Sequence, residues 1–494
     1  MNKAISPPTA RPRFAGRHAR FIIISASILW LCSVCSGRYS GGSGEPNDPY
    51  RIATAADLND IGNHIEDFNK CFILLNDINL AGYTGTQFRI IGDETQQFTG
   101  LFDGNYYAIT NLTWRSYTSR PCVGLFGSVG AGGRVKNLGM EDANIIARSV
   151  LGRVGALAGC NRGMITDCYS TGTIMGTIDV GGLVGYNDEG TVTNCFSTAA
   201  ITAGPTDISA GGLAGTNLKG TITDCYSSGT IIGGNCCGGL VGMNLSGNIT
   251  RCHSTGNVRG NNYVGGLVGD NEPNSEPEDS PITQCYSKGQ VQGNLYVGGL
   301  VGSNGYFGDN STISNCYSTG SVSGDYTGGL VGYNWDGAVI EKCYSTGQVT
   351  GTNAGGLVGN SYCNLVTASF WDTQTSGLAI SCGGTGIATI QMKTKSTFTG
   401  AGWDFADVAS GTTEHIWDIC QGTNYPRFGW QIPIGDFRCP DGAGFRDYAL
   451  IGSAWMSTPA NANWNAICDI SEPNDGVIDK LDLAVLCYNW LDGL

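Results

Sequence analysis

The chain has 494 residues, 77 of them glycine, only 14% charged, and a formal net charge of −14. So much glycine and so little charge argue against a helix-rich globular protein, and 41% hydrophobic residues argue against a disordered linker. The acidic balance disfavours nucleic acid and anionic lipid as partners, and is compatible with calcium and with neutral or basic partners.

Residues 1–36 carry Lys3, Arg11, Arg13, Arg17 and Arg20 with no acid, then the apolar run Phe21 to Val34, then Ser36. That order predicts a secretory signal peptide. An N-terminal membrane anchor is the competing reading, but about 14 apolar residues are short for a ~30 Å hydrocarbon core. The mature chain is therefore expected to be secreted, extracellular or held at the cell surface, with no membrane span after cleavage. Loss of the five basic residues takes the formal charge from −14 to −19.

Residues 37–122 are predicted as a β-rich cap: Tyr50-Arg-Ile reads as a strand, Ala55 to Ile65 as a short helix, and Phe72 to Leu80 and Phe98 to Ile109 as further strands. From 123 to 360 a repeat takes over. GALAG at 155 is followed by GGLVG-type pentapeptides at 181, 211, 238, 265, 298, 328 and 355, and the first seven copies place an Asn two residues on, from Asn161 to Asn334. Between them stand Cys168, Cys195, Cys225, Cys252, Cys285, Cys316 and Cys343, each opening a Cys-aromatic-Ser block in all but one copy, where His253 replaces the aromatic ring. Self-similarity at 27 to 33 residues with short β-branched runs predicts an all-β parallel β-solenoid (β-helix) of about eight coils with end caps, three strands and three corners per coil. A helical repeat would carry the cost of the glycine pairs.

Stacking in register places like residues one strand spacing apart. The Leu column 157, 183, 213, 240, 267, 300, 330 and 357 is expected inside. The cysteines are expected beside it as free apolar fillers, because stacked parallel side chains do not suit a disulfide torsion. The asparagines are expected to form an amide ladder, with ligand binding by exposed amides as the alternative. The column Tyr169, Phe196, Tyr226, His253, Tyr286, Tyr317 and Tyr344 has the opposite parity and should face outward. The rings Tyr169, Phe196, Tyr226, Tyr286, Tyr317 and Tyr344 are thus candidate binding residues for sugar rings or a partner protein; simple packing against the sheet is the alternative. Insertions at 272–281 and 306–311 are further candidate binding loops. With GGLVG-x-N followed by N-C-Y-S-T-G, residues 155 to 360 resemble the GLUG-motif repeat family of bacterial exported proteins, including regions of IgA-peptidase-like and adhesin-like chains. The resemblance implies a β-helical, surface-associated module.

Residues 361–433 break the period at Phe370-Trp-Asp and Gly402-Trp-Asp-Phe and are predicted as a C-terminal cap. Residues 434–494 hold a duplication, Asp447 to Met456 against Asp482 to Leu491, 35 residues apart, each copy after an Asp-Gly. Carboxylates before an amphipathic helix outline a calcium loop. Asp469, Ser471, Asp475, Asp479 and Asp482 are the candidate ligands of the second loop, interrupted by Glu472 and Pro473, and Asp441 and Asp447 those of the first. The pair resembles a small α-helical dockerin-like (EF-hand-like) domain, which implies a cohesin-like partner. The alternative is a metal-free two-helix module held by Trp455, Trp490 and a disulfide among Cys439, Cys468 and Cys487.

His64, His253 and His415 fall in no His-Glu-x-x-His pattern, and Asp179, Glu189 and Asp207 form no catalytic set that a sequence can show. No catalytic residue is assigned. The expected function is a non-catalytic scaffold for adhesion or for glycan or protein binding; the alternative is a polysaccharide-active lyase or glycosidase, or its accessory carbohydrate-binding module.

Overall fold

A computed structural model describes residues 38–488, apart from 117–119, 148–151, 205–208, 275–278, 307–310, 362–364, 406–414, 433–444, 464, 466–467 and 472–475. The expected signal peptide lies outside the described residues. The chain forms an all-β parallel solenoid. One face is a nine-stranded sheet from Phe126–Val129 to Val358–Ser361, and a second is a twelve-stranded sheet from Tyr50–Ile52 to Val366–Thr367. A third sheet joins 26 strands, and two more pair by themselves near the C-terminal end. There are nine turns rather than eight because Phe126–Val129 pairs with Ala158–Asn161 as a regular coil. Each coil is also cut more finely than three strands: after Val184–Asp188 come Thr191–Thr193, Phe196–Ser197, Ala200–Ala203 and Ser209–Gly211.

The N-terminal segment is part of the solenoid. Tyr50–Ile52 pairs with Cys71–Leu74, that strand with Leu101–Asp103, and that with Arg134–Lys136, all parallel. The helix Ala55–Ile61 buries Leu58 and Ile61 and starts on a reciprocal Thr54–Asp57 cap. Residues 361–433 do two things. Phe370–Asp372 and Thr385–Ile387 add the last paired strands, while the antiparallel pair Trp417–Asp418 and Arg427–Phe428 packs on an outer face. The tail has helices Phe445–Ser453 and Lys480–Tyr488 around Ile451, Ala454, Cys468, Ile478 and Leu486. Trp455 is outside that core and exposed, Cys468 and Cys487 are not joined, and Trp490 and Cys439 lie outside the described residues.

The expected inward columns are in place. Leu157, Leu183, Leu213, Leu240, Leu267, Leu300, Leu330 and Leu357 are all fully buried, as are the seven asparagines. Each Asn donates from Nδ2 to Oδ1 of the next, at 2.8–2.9 Å, from Asn161 through Asn334. The second N–H meets a carbonyl of its own coil, as from Asn187 to Gly190 at 2.9 Å. Buried amides are tolerated because nothing on them is left unmet. The cysteine column is buried and unbridged. Each cysteine backbone N–H donates to the sulfur one coil on, at 3.3–3.4 Å, until Ser369 takes that place beneath Cys343. Burial pushes the thiols of Cys168, Cys225, Cys252, Cys285 and Cys316 up, which keeps them unreactive. The bridge Cys122–Cys160 lies off this column.

The glycines of the pentapeptide do not make the corners. In Gly211-Gly212, a Cβ on the first would strike the Ala214 carbonyl, and one on the second would strike the Gly239 carbonyl and Ser227 Oγ. Glycine is there because backbone passes backbone without room for a side chain. The left-handed corner residues are Asp167, Asn194, Asp224, Arg251, Gln284, Asn315 and Lys342, at φ of 51° to 54°, each just before its cysteine. Asp and Asn tolerate that conformation; Lys, Arg and Gln hold it at a cost of about 1–2 kcal/mol. Two substitutions separate these roles. Gly212→Ala should lower the stability seen in chemical denaturation by about 2–3 kcal/mol through overpacking, whereas Lys342→Gly should raise it by about 1 kcal/mol through relief of left-handed strain.

Candidate functional site

The outward aromatic column is one continuous stack. Neighbouring rings from Tyr169 to Tyr344 stand 4.6–5.0 Å apart and within 9° of parallel, with His253 between Tyr226 and Tyr286. The structure divides it. Tyr286, Tyr317 and Tyr344 are buried in a cluster with Phe398, Trp403, Trp417 and Phe428 of the C-terminal segment, so three of the six candidate rings are not open to a ligand. Gln431 donates from Nε2 to the Tyr317 hydroxyl at 2.7 Å, Trp417 from Nε1 to Asn315 Oδ1 at 3.2 Å, and the Tyr344 hydroxyl to the Pro426 carbonyl. Tyr169, Phe196 and Tyr226 stay half-buried outside that cluster, while half-buried His253 meets Trp430, 6.2 Å away, which stacks on Phe428. Burial, and then the Lys288 charge, lowers the His253 pKa to about 4.

A second outward feature follows from the glycines. The strands on either side of each pentapeptide meet along a seam, and the side chains two residues before the glycine pair and just after the pentapeptide face each other across it. Along the solenoid the first column runs Arg153, Asp179, Ser209, Cys236, Tyr263, Tyr296 and Tyr326, and the second Cys160, Tyr186, Thr216, Met243, Asp270, Ser303 and Tyr333. The early coils fill the seam internally. Cys122 is bridged to Cys160, the Arg153 guanidinium sits 4.0 Å over the Tyr186 ring, and Thr216 donates to Asp179 at 2.6 Å. Asp179 is thereby structural; Glu189 is a left-handed corner residue, and Asp207 lies outside the described residues.

The later coils differ. Tyr263, Tyr296 and Tyr326 form a half-buried ladder with ring centres 5.4 and 5.6 Å apart, and Tyr333 closes on Tyr296 at 4.8 Å across the seam. Trp335 lies 4.5 Å from Tyr333, with the exposed Tyr306 5.8 Å beyond it. At one end of this ladder Asp270 is buried with one carboxyl oxygen unmet, and its pKa is pushed up to about 8 by burial and then by Glu272, against a hydrogen bond with Ser303. Sequence reading missed this cluster. Its signal was a Tyr two residues ahead of the glycine pair in three consecutive coils, together with insertions that begin at Glu272 and Tyr306.

In the tail, Asp469 and Ser471 on the loop before the last helix and Asp482 in that helix's first turn are buried. Asp482 accepts the N–H groups of Ile470, Ser471 and Asp479, Asp469 accepts that of Gly476, and the Ser471 hydroxyl is buried without a partner. Among the described residues Asp469, Asp479 and Asp482 do not bring three carboxylate oxygens within 4.8 Å of one another. Asp475 and Asp441, and the side chain of Asp447, lie outside the described residues. Buried oxygen atoms of a loop and of the first turn of the helix after it are of the type that suits a hard cation.

Comparison with known proteins agrees with the repeat. The GLUG motif matches residues 151–175, 176–202, 206–232, 293–323 and 323–350. Halomucin of Haloquadratum walsbyi is 34% identical over 164 residues, 32% of this chain and 2% of that protein. A protein of Evansella cellulosilytica named as a Gly-rich membrane protein is 36% identical over 133 residues, 26% of this chain and 15% of its own length. The chain thus spans a small fraction of either relative. A Bacteroides ovatus crystal structure described as an immunoglobulin A1 protease aligns over 80% of this chain and 96% of its own, at 17% identity and a TM-score of 0.37. Among the described residues no helix is long and apolar enough to cross a membrane.

The aromatic stack carries a pH dependence with a definite sign. The His253 pKa is about 4 folded against 6.5 for the free side chain, so its contribution to stability is complete above pH 6.5 and lost as the pH falls towards 4. The loss is up to about 3 kcal/mol. Denaturation midpoints should fall over that window, and His253→Tyr, which restores the residue of the neighbouring coils, should flatten the fall.

Proposed function

We propose that this is a secreted or cell-surface, non-catalytic solenoid scaffold that binds an extended glycan along the tyrosine-lined part of the seam. The observation that carries this reading is the half-buried ladder Tyr263–Tyr296–Tyr326, with Tyr333 and Trp335 beside it, at the spacing of the coils. Rings held rigidly on strands offer flat apolar faces to sugar rings at little entropic cost, and the tyrosine hydroxyls at their tips serve the sugar hydroxyls. The part of the aromatic stack outside the C-terminal cluster, Tyr169, Phe196 and Tyr226, adds a second apolar strip made of ring edges. We assign the tail the part of an anchor: calcium held by Asp469, Ser471, Asp475, Asp479 and Asp482 would fix a dockerin-like loop against a cohesin-like protein.

One observation favours a second reading, a polysaccharide-active enzyme. A carboxyl held largely protonated at neutral pH beside a second acid, as Asp270 is beside Glu272, is the pairing that general-acid chemistry on a glycosidic bond needs. A glycan array run with a reducing-sugar release assay on the mature chain separates the two. The scaffold reading expects retention without turnover, weakened about tenfold by Tyr296→Ala and unchanged by Asp270→Asn. Sugar release that Asp270→Asn abolishes would establish the enzyme instead. For the tail, thermal melts with calcium and with a chelator should differ, and Asp469→Ala should erase the difference; melts that coincide would remove the metal from the reading.

A further inference from the structure

The N-terminal coils contain a cavity of about 530 Å³, far along the chain from the tyrosine ladder, between the loop around Phe88–Gln96 and the strand Thr113–Ser116. Phe68, Phe88 and Ile90 give it apolar walls, and Trp114, Asp93 and Arg120 also line it. Two of its donors are unmet. The Trp114 side chain is 94% buried, being 6% exposed, and its indole N–H has no partner; the Nε–H of Arg120 is likewise buried without one. The guanidinium carbon lies 5.8 Å from the Trp114 ring centre, over the ring, and both residues line the cavity. One terminal nitrogen of Arg120 is spent on the Gly92 carbonyl at 3.3 Å.

A buried cationic donor and a buried neutral donor left open together are costly unless something accepts from them. Water can serve either of them, so what marks the site is the pairing of the two donors in a cavity that also presents Thr86, Gln87 and Gln96. Asp93 limits what the acceptor can be. Burial alone would raise its pKa, yet hydrogen bonds from Thr95 and Gln96 hold it below the usual carboxylate range, so it stays ionised near Arg120. Because Asp93 already offsets Arg120, a doubly charged phosphate would leave two uncompensated charges and a single carboxylate only one, so the smaller charge is favoured. Phe68, Phe88 and Ile90 beside the polar Thr86, Gln87 and Gln96 then suit a ring with one apolar face and several hydroxyls.

We propose that this cavity binds a cyclic carboxylate of monosaccharide size, with Trp114 Nε1 and Arg120 Nε donating to the carboxylate oxygens and the Phe68, Phe88 and Ile90 walls covering the ring. The assignment does not rest on the tyrosine seam. Isothermal titration of the full mature chain with galacturonate, galactose, acetate and inorganic phosphate tests it. Galacturonate should bind in preference to the other three. Trp114→Phe, which keeps the ring and removes the N–H, and Arg120→Gln should each weaken it about tenfold or more, while Tyr296→Ala leaves it unchanged. Equal binding of galactose, preference for phosphate, or no heat with galacturonate would each overturn the proposal. So would full affinity in both donor variants. The selectivity of the unmodified chain keeps the test decisive even where a variant fails to fold.

Discussion

The whole molecule depends on one constraint: each residue sits one strand spacing above its counterpart in the coil below. Under that constraint an interaction must be good with a copy of itself. Asparagine passes because an amide donates on one side and accepts on the other, so the ladder runs on without an unmet group inside it. Leucine passes because it needs only contact. Lysine, arginine and the acids do not pass, since like charges stacked repeatedly repel; Arg251 instead stands over Asp224, with contacts of 2.6 and 2.7 Å. The low charge content of the chain follows from the same rule.

The rule also explains the fold-back of the C-terminal segment. Stacked rings satisfy each other through their faces, but their edges leave an apolar stripe along the outside of the sheet, which is a liability if it stays open. The segment around Trp403, Trp417 and Phe428 takes up the part of that stripe formed by Tyr286, Tyr317 and Tyr344. A cap on an open end and a cover on a lateral stripe meet one need, the removal of repeated apolar surface from water. Here a single stretch of chain supplies both.

What was legible in the sequence was whatever repeats. The Leu, Asn and Cys columns and the outward parity of the rings could be read because several copies agreed. What depends on crossing from one column to another could not. Glycine commonly marks turns, but the reason for the glycine pairs is close passage of backbone past backbone, visible only once Gly212 is seen against Gly239 and Ser227. The corners themselves fall on residues as unlike as Asp167, Arg251 and Lys342, so composition gave no sign of them. The seam was hidden for a similar reason: Tyr296 and Tyr333 are 37 residues apart in different blocks of the repeat, and only the offset between successive coils brings them together.

The backbone at the seam adds a reason to look for function there. Tyr263, Tyr296 and Tyr326 hold φ of 55°, 53° and 46°, a conformation that asparagine or glycine adopts at lower cost. At the corner before each cysteine the chain does use Asp or Asn in four of seven coils, so that solution is available to this fold. At the seam it instead keeps three consecutive bulky rings in the strained conformation, where packing of the core does not require them, because they point away from it. Strain kept where a less costly residue would fold equally well implies that the side chain is the purpose. Here that side chain is an aromatic face, repeated at the pitch of the coil and presented outward beside a carboxyl whose buried oxygen no neighbour meets.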